Sequence, residues 1–438
     1  MDEQGLKKFK FTSYDKSYST EIQIKNPDKY REIEKDSSLS DDLISMGSGF
    51  SYAPASFKEK TLSLKMDKFN RILHFDKKEK VITVEAGIKI YELLNFTLRH
   101  NLWITQIPGY PLISIGGAVA ANSHGKSCGV DGTIRNAIKS IYLFHKTNGW
   151  INLSEKENQE IFDLTIGGLG LTGTIVSVTL KLVDFDGKFE TTKLEVNSIK
   201  DTINIIKKPE PSTFTYSWNM IDNKNKFGKG IVFKNKILKN QNKKYNLKVL
   251  NKKKFLSVNL WNKYSIKLSN FFFYYFHKIL KKNLDEKFLD VIFPFYGKEI
   301  YFNMFGSKGF IESQLIIPDY TIDEFFSEFL HLNEKFKPLI TLFSIKNMSG
   351  KQKLIRFEDN NICATFDFVN IKKNREFMEH LDKLCIKYKI LPSIIKDSRL
   401  EKDIFDKCYP EADIFRDKLT KFDKRRYYKS EISNRLKL

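Results

Sequence analysis

The stretch GGLGLTGTIVSVTLKL, residues 167–182, decides how the first part of this chain folds. Its glycines have the spacing G-x-G-x-x-G, at Gly168, Gly170 and Gly173. That spacing marks a Rossmann dinucleotide-binding turn only when a helix follows it. Here the residues after the last glycine alternate with the period of a strand, apolar at Val176, Val178, Leu180 and Leu182. The context therefore argues against a conventional Rossmann unit and predicts glycine turns that lead into a β-strand.

Glycine is concentrated in the same part of the chain. Fifteen of the 22 glycines lie at or before Gly173, and none follows Gly350. Three more clusters are MGSGFSY at 46–52, PGYPLISIGGAVAANSHGK at 108–126 and GVDGTIRN at 129–136. Turns of this kind present backbone N–H groups to anions and let a phosphate or a flat ring approach the main chain. The clusters indicate either a long, doubly charged cofactor or simply tight turns in a β-rich domain.

Bulk composition limits the class of protein. The 438 residues are 41% hydrophobic, so the chain is globular and long enough for two or three domains of about 150 residues. The first twenty residues lack the apolar core of a secretory signal, and no run reaches the ~18 apolar residues of a membrane span. Four cysteines lack C-x-x-C spacing, which argues against a disulfide framework or zinc site and predicts reduced thiols in a cytoplasmic protein.

The net charge of +21 is weak evidence about partners. Strong basicity favours nucleic acid, anionic membranes or phosphorylated substrates. Much of the excess lies in Lys/Asn-rich stretches such as KNQNKKYNLKVLNKKKF, which solvated loops also explain. Because the basic residues are dispersed and no nucleic-acid-binding module is visible, we predict no nucleic-acid partner.

Periodicity divides the chain into two kinds of region. Up to about residue 188, LSLKM and KVITVEA predict strands, 90–103 a helix, and 136–153 a strand pair around a turn at 147–149. Later, strands are predicted at FIESQLIIP, LITLFSIK, NICATFDFV and ILPSII, and helices at TIDEFFSEFLHLNEKF and NREFMEHLDKLCIKYK. Two strand–helix–strand units predict an α+β domain with helices on one face of an antiparallel sheet.

These motifs together resemble a known family. GSGFSY, SIGGAVAANSHG and GGLGLTGTI, in that order, resemble the FAD domain of the vanillyl-alcohol oxidase superfamily, also called PCMH-type. SHGK, TYSWNMID, GFIESQLIIP, NICATFDF, IIKDSR and the C-terminal stretch are similar to the decaprenylphosphoryl-β-D-ribose oxidase branch. The resemblance implies an α+β, two-domain fold. It places the FAD-binding domain at 1–188, an α+β substrate domain with an antiparallel sheet at 189–390, and a return to the first domain at 391–438.

Departures from the family pattern refine this expectation. Phe50 stands where covalent flavoproteins of the superfamily carry His, so FAD is expected without a covalent bond. The chain lacks the His-Trp-Gly/Ala motif of the aldonolactone oxidases. Ile292-Phe293 replaces Tyr-His, and Ser393 replaces Tyr, both of which leave the detailed sugar pocket undefined.

The resemblance assigns the cofactor contacts to the glycine-rich turns. The first turn is expected to meet the pyrophosphate, the second to run along the cofactor, and the third to lie near the adenine. The residues implied are Met46, Gly47, Ser48, Gly49, Phe50, Ser51, Tyr52, Gly109, Ser114, Ile115, Gly116, Gly117, Ala121, Asn122, Ser123, His124, Gly125, Asn136, Gly173 and Ile175. No metal site is expected.

Two residues are the catalytic candidates by resemblance. Lys396 is expected beside the flavin, where its charge would stabilise the anionic reduced ring; as a base it would need a depressed pKa. The alternative for Lys396 is a surface lysine capping the helix of 401–408. His124, between small neighbours, is expected to bond the flavin or the substrate hydroxyl, and the alternative is a structural histidine.

Four residues are the substrate candidates. Lys126 follows from the SHGK resemblance. Gln314 offers a donor and an acceptor for sugar hydroxyls, and Lys346 offers a point charge for a phosphate. For both, an exposed polar residue on a half-solvated strand is the alternative. Cys363 matches a position that borders the flavin in the relatives, although a small buried apolar residue is the ordinary interpretation.

The stretch LWNKYSIKLSNFFFYYFHKILKKN, 260–283, interleaves aromatic residues with lysines. Such a segment suits a membrane surface, with rings at the headgroups and lysines on anionic lipid. The alternative is a buried aromatic segment of the second domain. Because FFFYYF is apolar all round rather than on one side, we favour the buried segment.

The resemblance implies FAD-dependent oxidation of a sugar secondary alcohol to a ketone. The substrate expected is a polyprenyl-phosphate pentose or related glycan precursor, and a separate short-chain reductase would complete an epimerisation. The alternative is a soluble aldonolactone-type oxidase that uses oxygen. The expected location is the cytoplasm, with peripheral contact at the inner membrane face as a further expectation.

Overall fold

A computed structural model describes residues 7–221, 227–239, 245–248, 257–280, 282–350, 354–355 and 361–438. The elements of the glycine-rich part are, in chain order, β1 (Lys7–Thr12), β2 (Ser19–Lys25), α1 (Tyr30–Ser37), β3 (Leu43–Met46), β4 (Leu62–Lys65), β5 (Ile72–Asp76), β6 (Val81–Glu85), α2 (Ile90–Leu98), β7 (Leu102–Trp103), α3 (Ile115–Ala120), α4 (Cys128–Asp131), β8 (Ile138–His145), β9 (Gly149–Ser154), α5 (Gln159–Thr165), β10 (Thr174–Lys181) and β11 (Val183–Asp184). The strands predicted at 62–66, 80–86 and 136–153 are confirmed. The helix predicted at 90–103 is confirmed over Ile90–Leu98, whereas Leu102–Trp103 forms strand β7.

The opening stretch forms the turn and central strand that the alternation predicts. Strand β10 lies in the middle of an antiparallel sheet of order β5-β6-β10-β8-β9. Gly173 enters this strand with φ +136°, and a Cβ there would lie 2.6 Å from the carbonyl oxygen of Phe144. Only glycine fits that position without strain. A second sheet, of order β1-β2-β4-β3, combines one antiparallel and two parallel pairings.

The rest of the chain builds one large sheet. Its elements are β12 (Lys188–Val196), α6 (Ile199–Ile206), β13 (Thr213–Asn219), β14 (Gly230–Leu238), α7 (Lys263–Ile279), β15 (Lys282–Glu286), α8 (Phe288–Ile292), α9 (Ile300–Asn303), β16 (Phe310–Ile317), α10 (Ile322–Phe336), β17 (Ile340–Met348), β18 (Asn361–Val369), α11 (Lys372–Lys387), β19 (Leu391–Pro392), α12 (Lys402–Cys408), α13 (Ala412–Phe422) and α14 (Glu431–Leu436). The strands pair antiparallel in the order β15-β12-β14-β13-β17-β18-β16-β19.

Helices α10 and α11 cover one face of this sheet, as predicted. Phe329 of α10 stacks on Phe366 of β18 with ring centroids 4.8 Å apart, and Phe366 stacks on Phe343 of β17 at 4.6 Å. Side chains alternate along a strand, so the residues between these phenylalanines point to the opposite face. That face bears Gln314, Ser344 and Thr365, and it borders the cavity described below.

The C-terminal segment joins the two parts of the molecule. Strand β19 forms the edge of the large sheet beside β16, and the backbone then turns at Ser393, whose carbonyl accepts hydrogen bonds from the amides of Lys396 and Asp397. The predicted strand ILPSII is therefore limited to Leu391–Pro392, because the chain must turn there to bring Lys396 back. Further on, the amide of Leu43 donates to Tyr427, and that of Lys429 donates to Leu43, which docks the tail on β3.

The aromatic stretch 260–283 includes helix α7, and its environment differs from the prediction. The side chain of Asn262 caps the helix by accepting from the amides of Tyr264 and Ser265. The expectation of a buried segment is wrong, because Leu268, Phe272 and several neighbours are more than half exposed. The exposed apolar residues lie together on one side of the helix, whereas Ile266 and Tyr274 are buried on the other. Among the helices of the described residues, none has the length and apolar character required to cross a bilayer.

Candidate active site

One cavity of about 840 Å³ lies between the glycine turns and the open face of the large sheet. Its size is within the range of about 300–1,000 Å³ typical of ligand pockets. Most of the residues that the sequence nominated line its wall: Gly47, Ser48, Gly49, Phe50, Ser51, Tyr52, Gly109, Ser114, Gly116, Gly117, Ala121, Ser123, His124, Gly125, Lys126, Gly173, Ile175, Gln314, Lys346 and Lys396. Residues separated by almost the whole chain therefore meet in one space.

Five nominated residues lie outside that wall. Met46, Ile115 and Asn122 are buried behind it, and Asn122 accepts a hydrogen bond from the amide of Arg135. Asn136 is exposed, and its side chain donates to the carbonyl of Asp131. Cys363 is fully buried in β18 opposite Lys346, where burial raises the pKa of its thiol to about 11. Its burial in the hydrophobic core matches the ordinary interpretation of a small buried residue.

The glycine side of the cavity has features that fit an extended, polar cofactor. Three serine hydroxyls in its wall, those of Ser48, Ser51 and Ser123, are buried and have no hydrogen-bond partner among the described residues. Buried hydroxyls are normally paired, so these donors call for a ligand with acceptor atoms. A Cβ on Gly47 would lie 2.2 Å from Ser114 Oγ, and one on Gly125 would lie 2.2 Å from the carbonyl oxygen of Ile107. The cradle is thus formed by backbone that admits no larger residue.

Phe50 supports the expectation about covalent attachment. Its ring lies 4.9 Å from that of Tyr110 and 6.0 Å from that of Tyr14. A phenyl ring has no nucleophilic atom with which to form a bond to a cofactor. At this position the chain therefore offers packing rather than a covalent link.

His124, Gln314 and Lys346 form a hydrogen-bonded group where the two halves of the cavity meet. His124 Nε2 lies 3.1 Å from Gln314 Oε1, and Lys346 Nζ lies 2.9 Å from His124 Nδ1. Because an ammonium only donates, Nδ1 accepts and Nε2–H donates. Burial, followed by the charge of Lys346, holds the pKa of His124 well below its usual range. His124 is therefore a neutral imidazole with a defined tautomer.

Lys126 is the second cation of this group. Its ammonium lies 4.2 Å from the centre of the Tyr216 ring, and Tyr216 is the cross-strand neighbour of Lys346. Burial, and then the charge of the nearby Lys346, lower the pKa of Lys126 to about 7. A lysine with such a pKa is neutral for about half of the time near pH 7. It is the titratable group of this cavity that is best matched to proton transfer at neutral pH.

Lys396 lies on the other side of the same space, as the KDSR motif predicts. Its Nζ is 3.3 Å from Glu312 Oε1 and 3.7 Å from the centre of the Tyr52 ring. Asp367 faces Glu312 directly across strands β16 and β18 and accepts a hydrogen bond of 2.7 Å from the hydroxyl of Tyr301. Burial, and then the Glu312 carboxyl, raise the pKa of Asp367 well above its usual range. Lys396 is thus not a helix-capping surface lysine but a cation fixed at the cavity wall.

The far end of the cavity is basic and aromatic. Phe233 of β14 stacks on Tyr216 at 5.2 Å, and His277 of α7 lies 5.0 Å from Phe233. Lys193 and Lys298 also line this end. Burial, and then the charges of these two lysines, lower the pKa of His277 to about 4. Ring contacts run from Lys126 through Tyr216 and Phe233 to His277 of α7. Along its length the cavity therefore changes in character, from the glycine turns through polar side chains to a cationic, aromatic end.

Sequence reasoning missed several of these residues. Tyr14, Lys193, Lys298 and Tyr301 line the cavity without a motif that marks them, and Tyr110 was not nominated although it lies in the glycine-rich stretch 108–126. Glu312 could have been predicted from the sequence, because it lies two residues before Gln314 on a strand and therefore points to the same face of the sheet. The others depend on which loops and helices pack around the cavity, which local patterns do not specify.

Comparison with known proteins bears on the identity of the cofactor. Residues 37–154 match the family described as FAD binding domain. The chain is 25% identical over 425 residues to decaprenylphosphoryl-beta-D-ribose oxidase of Mycolicibacterium smegmatis, which covers 90% of this chain and 89% of that protein.

Shorter similarities link the chain to two lactone-oxidising enzymes. L-gulonolactone oxidase of Mus musculus is 29% identical over 119 residues, covering 27% of each chain. L-galactono-1,4-lactone dehydrogenase of Arabidopsis thaliana is 30% identical over 114 residues, covering 26% of this chain and 18% of that one. The expectations for fold and cofactor are confirmed: the chain contains a PCMH-type FAD-binding domain in an α+β fold and is an FAD-dependent oxidoreductase.

Proposed function

We propose that this protein oxidises a secondary alcohol of a sugar carried on a polyprenyl phosphate to the ketone, using non-covalent FAD. The observation that carries the proposal is the order in which polar, cationic and aromatic side chains follow one another along the cavity. Polar side chains next to the glycine turns suit a sugar, lysines beyond them suit a phosphate, and an aromatic helix at the far end suits a lipid. The similarity over nine-tenths of the chain to an oxidase of such a substrate supports it.

FAD, when bound, supplies the acceptor for the hydride that leaves the alcohol carbon. We assign its binding to the glycine turns, with the unpaired hydroxyls of Ser48, Ser51 and Ser123 as donors. Within the proposed domains, residues 1–188 and 391–438 hold the cofactor and residues 189–390 hold the substrate. Lys396 provides positive charge at the wall, held in place by Glu312.

The sugar is oriented by the central polar group. Gln314 bonds hydroxyls through its amide, and neutral His124 orients that amide by donating its Nε2–H to Gln314 Oε1, while Lys346 donates to the other ring nitrogen. We assign the hydroxyl proton to Lys126 Nζ, because a base with a pKa of about 7 accepts protons at neutral pH more readily than His124 does. His124 is then a hydrogen-bonding residue rather than the base.

Two partners follow from this reaction. The ketone product is the substrate for a separate reductase, which would complete an epimerisation. A lipid-linked substrate also requires peripheral contact with the membrane that carries it. Both partners are proposals that rest on the chemistry of the substrate.

The test is anaerobic reduction of the FAD-loaded protein by a synthetic polyprenyl-phosphate pentose, followed by flavin absorbance. We expect bleaching with the lipid-linked pentose and formation of one ketone per flavin. The matched control is a free aldonolactone, because the partial similarity to lactone-oxidising enzymes supports a soluble aldonolactone oxidase as the second candidate. Turnover of lactones together with inertness toward the lipid-linked sugar would overturn the proposal.

A further inference from the structure

Helix α7 presents an apolar stripe to the outside of the molecule. Its members recur every three or four residues and so fall on one side of the helix. Their exposed fractions run from 47% to 77%, for Tyr264, Leu268, Phe271, Phe272, Tyr275, Phe276 and Ile279. Soluble proteins seldom expose so many large apolar side chains together unless the surface binds something.

The opposite side of α7 holds the helix firmly on the large sheet. Ile266, Asn270 and Tyr274 are buried, and the Tyr274 hydroxyl donates to Glu195. Phe273 packs on Trp218 with ring centroids 4.6 Å apart. The stripe is therefore a built surface on a capped helix of 17 residues.

Charge identifies the kind of partner. The helix sequence KYSIKLSNFFFYYFHKI contains no acidic residue, and Lys263 and Lys267 are exposed on it. The whole chain carries +21, so two copies meeting at this surface would repel one another. Exposed Phe and Leu beside lysines are typical of helices that lie in the plane of an anionic bilayer.

The stripe is continuous with the cavity. Phe276 is 58% exposed as part of the stripe and also lines the cavity, together with Phe273 and His277 of the same helix. A surface on which α7 rests would therefore lie at the cationic end of the cavity. There an anionic headgroup meets Lys193 and Lys298, which face the same end.

We infer that the aromatic stripe of α7 docks this protein on an anionic lipid bilayer and sets the cationic end of its cavity against the membrane. A phosphate-borne sugar then enters the cavity while its polyprenyl chain stays among the lipids. The docking surface stands on the geometry of α7, and its purpose rests on the function proposed above.

The test is co-sedimentation of the FAD-loaded protein with vesicles of phosphatidylcholine, with and without phosphatidylglycerol. We expect binding to the anionic vesicles, weakened by salt. The double variant Leu268→Ser/Phe272→Ser removes two stripe residues that do not line the cavity, and its vesicle affinity should fall by about tenfold or more. The matched control Tyr320→Ser/Ile414→Ser removes exposed apolar side chains elsewhere, at 73% and 52% exposure, and should bind as the parent does.

Three results separate the possibilities. Equal binding by parent and stripe variant, or none by either, overturns the docking surface. A concentration-dependent dimer that the stripe variant abolishes, without vesicle binding, overturns it in favour of a second copy. Vesicle binding that is lost in the stripe variant supports docking even if the lipid-linked pentose fails to bleach the flavin, in which case only the proposed function fails. Turnover of a short, water-soluble analogue should be equal in parent and stripe variant.

Discussion

The two walls of the cavity are built by different means. On the glycine side, the backbone of the turns forms the surface, and side chains are small or absent, as at Gly47, Gly125 and Gly173. On the sheet side, regular strands carry Glu312, Gln314 and Lys346 into the same space. The first wall leaves no room for an added Cβ at Gly47, Gly125 and Gly173, whereas the second depends on which atoms each side chain presents. The comparison teaches that holding the cofactor and choosing the reaction are separable in this molecule.

The largest effect should come from removing the charge of Lys396. We expect Lys396→Met to slow flavin reduction by about 10²–10³-fold while FAD stays bound, because a fixed charge at the reacting end is lost and the glycine wall is untouched. Stopped-flow reduction and flavin content measure the two properties separately. Lys402→Met, which removes an exposed lysine ion-paired with Asp406, is the control. Normal reduction in Lys396→Met would remove that residue from the mechanism.

A methyl group added in the glycine wall should weaken FAD binding and stability, whereas loss of the Lys396 charge should slow flavin reduction and leave FAD bound. In Gly125→Ala the new Cβ would lie 2.2 Å from a backbone oxygen that cannot rotate away. We expect a loss of about 1–3 kcal/mol in the free energy of unfolding and weaker FAD retention, because backbone must shift. Gly109→Ala is the matched control, since nothing lies within 4 Å of its added Cβ. Equal stability and colour in the two variants would show that the glycine wall is not tight.

The pH dependence of turnover tests the assignment of the base. A base must be neutral to accept a proton, so activity should rise through the pKa of Lys126, which is about 7. We expect kcat/KM to increase by about tenfold between pH 6 and pH 8. In Lys126→Arg, whose side chain stays charged, activity should fall and this acidic limb should vanish. An unchanged limb in that variant would assign it to another group.

The smallest effect should distinguish the two faces of one strand. Gln314→Leu leaves the N–H of His124 without its acceptor and removes a hydroxyl partner, so we expect kcat/KM to fall by about fivefold, or ~1 kcal/mol. Ser313→Ala changes the adjacent residue, which lies outside the cavity wall, and serves as control. Steady-state kinetics on the lipid-linked sugar measure both. A larger effect from Ser313→Ala would mean that strand β16 is read in the wrong register.

The contrast between the glycine wall and the sheet wall explains which features of the fold could be predicted from the sequence. The glycine turns at 46–52 and 108–126 are recognisable because backbone that must avoid a Cβ restricts residue type at each position. Strand periodicity places β10, β16, β17 and β18 correctly, and alternation is sufficient to pair Glu312 with Gln314 on one face.

The remaining features depend on packing at long range. Whether Lys396 meets Glu312 or Phe233 meets His277 is decided by the docking of distant segments, which no local period encodes. The exposure of α7 was misjudged for a similar reason. FFFYYF is apolar on all sides of the helix, and only the docking of α7 on the sheet decides that Tyr274 is covered while Phe272 faces outward.

The C-terminal return has a consequence for synthesis. The glycine turns leave the ribosome early, but Lys396 and the tail that pairs with Leu43 come only with the last part of the chain. A product that stops before residue 391 has a cradle without its lysine and leaves an edge of β3 without the tail. Premature termination should therefore yield protein that cannot reduce its flavin, because the charge of Lys396 is missing.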